Sequence, residues 1–169
     1  MTSTQLPDLE AIRELYDSHR FLDAWEATRP LWRRPELVET LDAGHLVLGG
    51  RLAGRLGGHK VRRWLFRRAL EVAPADLRVA FFARPTARPR THLLDHLRLL
   101  ESRPVEGFED PDLEACWLAT HGQVLAGVRD FGRSHRLLER ARELGRHRTW
   151  VTTCTADALL WEDRWEEAL

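Results

Sequence analysis

Three residue pairs recur at a spacing of 34: Gly122 with Ala156, Phe131 with Trp165, and Ser134 with Ala168. A small residue falls on a small one and an aromatic on an aromatic. A fixed period of this length, with small and aromatic residues at set offsets, marks helical hairpins stacked in a row. Each hairpin in such an array buries its apolar face on its neighbours. A chain of 169 residues therefore needs no single central core.

Helical periodicity runs through the rest of the chain. Strand signals are scarce, with one Ile, one Tyr and few alternating runs. The pattern predicts helices over Leu9–Ser18 and Phe21–Trp32. Arg34-Pro35 stops the second, because the residue before proline is pushed out of the helical region. One long helix is expected from Glu36 to Leu56, ended by Gly57-Gly58, since glycine accepts the left-handed capping conformation. Further helices are expected over Lys60–Val72, Asp76–Ala83, Thr91–Glu101, Asp112–Gly127, Phe131–Leu144 and Arg148–Glu162, with another opening at Arg164. Arg84–Pro89 carries two prolines and reads as a break in the helix. Arg103–Pro111 reads as a loop with an acidic cluster.

These hairpins resemble tetratricopeptide repeats (TPRs), a family of paired antiparallel helices. The second hairpin matches through Leu46, Gly50, Phe66, Ala69 and Pro74, and departs at Ala53 and Arg62. The fourth matches through Leu118, Gly122, Leu125, Phe131, Ser134, Leu138 and Ala141, without the closing proline. The fifth begins with Ala156, Leu159, Trp165 and Ala168. The first fits at Leu15, Phe21, Ala24 and Leu31, with Ile12 where the family has a small residue. The third keeps Leu93 and Leu100, and Pro85 interrupts its first helix. Small residues where helices cross let backbones approach, and bulky ones fill the space beside the crossing. The resemblance implies an all-α, right-handed solenoid of about four and a half hairpins. It forms one domain over residues 1–169, with repeats near 5–35, 43–75, 76–110, 112–147 and an incomplete 148–169. Trp161, Trp165 and Leu169 share a helical face. That face is expected to continue into further chain or to pair with another copy.

Composition narrows the function. Basic and acidic residues balance at 26 each, which argues against a dedicated nucleic-acid binder. Lys60 is the one lysine among the basic residues, which reads as the coding bias of a GC-rich bacterial genome. Two separated cysteines, Cys116 and Cys154, make no disulfide framework or zinc site, and a cytoplasmic location is expected. No apolar run reads as a signal peptide or a membrane span.

No catalytic, metal or cofactor site is expected. His92 and His96 stand one turn apart, yet no third ligand lies near them in sequence. Cys116 and His121 are five residues apart and diverge on a helix. Gly49-Gly50, Gly54 and Gly57-Gly58 lack the Lys-Ser/Thr of a phosphate loop. In Arg62–Arg68, Leu65 and Phe66 are expected to face inward with Ala69, leaving Arg63 and Arg67 outside. Of the tryptophans, Trp25, Trp64, Trp117 and Trp165 are expected in packing. Trp150 and Trp161 are expected on a binding surface.

In proteins of the TPR family the first helix of each hairpin lines a concave groove that takes a partner segment. Carried over, that groove comprises Arg13, Tyr16, Val47, Arg51, Arg55, Gln123, Trp150, Asp157 and Trp161. Its first half is rich in arginine and its second in aromatics. Arginine binds carboxylates in a planar, bidentate way, so an acidic segment or a terminal carboxylate is the expected ligand. The implied function is a non-catalytic protein-binding scaffold. The alternative is the recruitment module of a larger enzyme whose catalytic domain lies beyond residue 169.

Overall fold

The computed structural model describes residues 8–32, 34–87, 92–102, 108–145 and 148–168. Expectations resting on residues 88–91, 103–107 and Leu169 lie outside these. All regular structure among the described residues is helical, and the chain divides into two compact units, 1–89 and 90–169. No described helix is long and apolar enough to cross a membrane.

The first unit holds α1 (Leu9–Asp17), α2 (Phe21–Trp32), α3 (Pro35–Val38), α4 (Ala43–Arg55), α5 (His59–Val72) and α6 (Leu77–Ala87). Asp8 caps α1 by accepting the Glu10 N–H at 3.0 Å. Helix α4 is the centre of the unit and packs on α1, α2, α5 and α6. On one side Leu48 and Leu52 meet Ile12, Tyr16 and Ala24. On the other, Leu46 and Val47 join Leu31, Leu65, Phe66, Ala69 and Val79. Arg63 and Arg67 lie outside, as the periodicity of α5 predicts.

Two expectations are corrected here. The helix expected over Glu36–Leu56 is two helices, because Asp42 opens a new one: its Oδ1 accepts the His45 N–H at 2.9 Å. The break expected from Arg84 falls later, since α6 runs through Pro85 to Ala87. Proline forfeits one helical hydrogen bond there, while buried Val79, Ala80 and Ala83 hold the preceding turns.

The second unit holds α7 (Leu93–Glu101), α8 (Pro111–Gly127), α9 (Phe131–Gly145), α10 (Thr149–Trp161) and α11 (Trp165–Ala168). Asp110 caps α8 through the Asp112 and Leu113 N–H groups, and Pro111 sits in the first turn, where its missing N–H costs nothing. Helix α8 is apolar nearly all round and is covered by α7, α9 and α10. Ala115, Leu118, Ala119, Leu138, Ala141, Val151 and Cys154 form its core.

Four turns share one geometry. His19, Gly57, Arg129 and Asp163 each take a left-handed φ, between 60° and 79°. After each, the next N–H reaches back five residues: Arg20 to Leu15, Gly58 to Ala53, Asp130 to Leu125 and Arg164 to Leu159. This is the Schellman closure of a helix C-terminus. Three of the four turns use a residue with a side chain. The last two turns stand one 34-residue period apart.

Packing at the helix crossings follows the small-residue pattern. A Cβ added at Gly50 would lie 2.4 Å from the Phe66 ring, and one at Gly122 would lie 2.7 Å from Leu138. Ser134 is fully buried and donates its hydroxyl to the Gly122 carbonyl at 2.8 Å. The departure at Arg62 has a local answer. Gly54, one turn after Gly50, leaves the room that the Arg62 side chain fills.

Candidate binding faces

In the first unit three of the groove residues, Tyr16, Arg51 and Arg55, meet on a face made by α1, α4 and α6. The Arg51 guanidinium lies over both the Tyr16 and Phe82 rings, 4.4 Å from each centroid. One turn later, the Arg55 Nε donates to the Tyr16 hydroxyl at 3.4 Å, with its guanidinium 5.8 Å from the Phe21 ring. Phe21 in turn meets Tyr16 edge-on at 5.2 Å. Tyr16 is 7% exposed, so its ring is a floor rather than a contact surface.

Several neighbouring arginines spend their charge locally. Arg13 pairs with Glu10 at 3.0 Å, Arg20 with Asp23 at 2.8 Å, and Arg29 with Glu26 at 2.6 Å. Arg51 and Arg55 have no carboxylate partner among the described residues. Ring stacking holds a guanidinium by its faces, worth about 0.5–2 kcal/mol. No described acceptor takes the N–H groups of Arg51, so they are open to one from outside.

In the second unit the groove residues gather where α8 meets α10. The Gln123 Nε2 donates to the Asp157 Oδ2 at 2.5 Å. These residues stand 34 positions apart in the sequence. The Cys154 thiol reaches the Gln123 Oε1 at 3.7 Å. Burial, followed by the charge of Asp157, pushes that thiol up to about 12, so it stays a neutral donor. The Trp150 indole N–H donates to the Thr120 hydroxyl at 2.9 Å. Trp150 and Trp161 are 41% and 47% exposed.

The structure moves some expected residues to other roles. Val47 is 5% exposed and belongs to the core, because α6 covers its side of α4. Trp117 is fully buried, as expected of a packing residue. Trp64 and Trp165 are 45% and 60% exposed instead, and no described element covers them. Ala24, Ala69 and Ala141 are fully buried, Phe131 is partly buried against the core of the second unit, and Pro74 lies in the turn after α5. Ala156 and Ala168 are half-buried.

Sequence reasoning missed Phe82 and Thr120, and weighed His121 only beside Cys116. Phe82 lies outside the repeat register, and only the fold brings it onto Arg51. His121 is buried with neither ring nitrogen hydrogen-bonded. Its pKa is held below the ordinary value of 6.5 by burial first, then by the charge of Arg133. His96 is lowered by burial alone. No three His, Cys, Asp or Glu side chains gather as a cation site among the described residues. On the far side of α10 a cleft of about 270 Å³ is lined by His135, Arg142, Leu159 and Arg164. There Glu162 accepts from His135 at 2.8 Å and from Arg164 at 2.9 Å. Desolvation pushes the Glu162 carboxyl up, but the Arg164 and His135 hydrogen bonds outweigh it and hold it low.

No family model, curated protein or solved structure matches this chain.

Proposed function

We propose that this chain is a TPR-like helical-repeat scaffold that binds an acidic segment of a partner protein. The ligand lies along the α1, α4 and α6 face of residues 1–89. Four turns of one design support the repeat reading, as does the contact between Gln123 and Asp157 one period apart. Cys116 and Cys154 are not joined in a disulfide, which suits a reducing cytoplasm.

The observation that carries the binding reading is the state of Arg51. Its guanidinium lies over the Tyr16 and Phe82 rings, and among the described residues no carboxylate pairs with it. That is the arrangement in which a guanidinium takes a carboxylate two bonds at a time. Arg55, held by the Tyr16 hydroxyl one turn away, adds a second positive charge. A pull-down from lysate of the source organism, wild type beside Arg51→Ala/Arg55→Ala, identifies the partner. The double variant weakens that partner by about tenfold or more. Arg51→Lys keeps the charge but loses the plane, and also binds more weakly. Unchanged affinity in the double variant refutes the assignment of this face.

A further inference from the structure

The acidic-ligand reading concerns the first unit only. The α8–α10 face of the second unit carries the opposite charge. Asp157 is half-buried, and one of its oxygens accepts from Gln123. Gln123 cannot turn freely, because its own carbonyl oxygen is taken by the Cys154 thiol. The carboxylate is therefore aimed by a relay of two side chains, and no cation among the described residues pairs with it. Arg129, the basic group nearest in sequence to Gln123, donates to the Trp161 carbonyl and lies 5.8 Å from the Phe131 ring.

Two exposed indoles flank this carboxylate. Trp161 follows Asp157 by one helical turn and Trp150 precedes it by two, so all three share a face of α10. The hydrogen bond to Thr120 fixes the plane of Trp150. A carboxylate one helical turn from an aromatic face recognises a cation twice, by charge and by the ring quadrupole. Indole is the strongest of the natural rings for that contact. An acidic ligand would meet repulsion here.

We propose that the α8–α10 face is a second binding site, one that takes an arginine or lysine side chain of a peptide segment. Asp157 supplies the counter-charge, Trp161 one turn away the aromatic face, and Gln123 the positioning of the carboxylate, while Trp150, two turns to the other side, offers a ring to a neighbouring basic residue of the segment. The chain thus offers an acidic segment one face and a basic segment another.

The probe is the peptide acetyl-Gly-Arg-Gly-Arg-Gly-amide, titrated into the 15N-labelled full chain. Its partner is the same peptide with citrulline, which keeps the shape of arginine without the charge. Saturable shifts of the Trp150 and Trp161 indole N–H resonances are expected with the arginine peptide alone. Asp157→Asn keeps an acceptor for Gln123 and binds at least about fivefold more weakly, and Trp161→Ala likewise. Arg51→Ala/Arg55→Ala leaves the titration unchanged, which separates this site from the acidic-segment face. Far-UV circular dichroism and thermal midpoints verify that each variant folds. Equal binding of the citrulline peptide, or undiminished binding by folded Asp157→Asn, overturns the proposal. So does the absence of any saturable shift in the wild type.

Discussion

At the scale of single residues, the crossings of this fold depend on missing methyl groups. Gly50 faces the Phe66 ring, which is itself 3% exposed and has no free volume to enter. Gly50→Ala is therefore expected to destabilise the chain by about 1–3 kcal/mol, the usual range for overpacking a closed core. Urea unfolding followed by circular dichroism measures it, and an unchanged midpoint would mean that Phe66 moves aside at no cost. Gly122 was legible through its 34-residue spacing to Ala156, and Gly50 through the resemblance of its hairpin to a tetratricopeptide repeat. Arg51 was legible too, as an outward position on α4. The Phe82 ring across it was not, since no period links the two residues. The left-handed turns were half legible. Gly57 declares itself, but nothing in the chemistry of His19, Arg129 or Asp163 requires a positive φ.

At the scale of elements, α7 and α8 hold two histidines in surroundings that favour the neutral ring. From α7, His96 and Glu101 face His121; from α9, Arg133 does, itself paired with Glu101 at 2.9 Å. The α10 groups turned toward α8, Cys154 and Asp157, are engaged with Gln123. Both histidines have folded pKa values below the unfolded value of 6.5, so the unfolded chain takes up protons first as pH falls. Their contribution to stability is whole above pH 6.5 and is lost as pH drops through that value toward the folded pKa. The loss approaches at most about 1.4 kcal/mol per pH unit for each ring. Urea midpoints between pH 8 and 5 should fall on the acid side, and His121→Leu should flatten the decline. An equally steep decline in the variant would assign the effect elsewhere. The ends of helices were legible at Gly57-Gly58 and before Pro35, and misread at Pro85, which α6 runs through. The split between α3 and α4 was not read, although Asp42 carried its signal as a capping residue.

At the scale of the whole molecule, the balance of 26 basic and 26 acidic residues leaves no net repulsion between copies near neutrality. With a pI near 7.1, solubility is expected to pass through a minimum close to pH 7 and to rise toward pH 9. Light scattering across that range measures it, and a flat profile would show that charge does not govern association. The sequence alone determined that the chain is helical, where most hairpins turn, and which glycines lie at crossings. All of that depends on neighbours within a few turns and on one repeated spacing. Tertiary structure alone decided which arginines keep their charge unspent and which carboxylate is aimed. Those properties depend on which side chains meet across different helices. Arg51 meets Tyr16 and Phe82 from two other elements, and Asp157 meets Gln123 from a third. Periodicity assigns a residue to a face of its own helix, and packing assigns that face its partner.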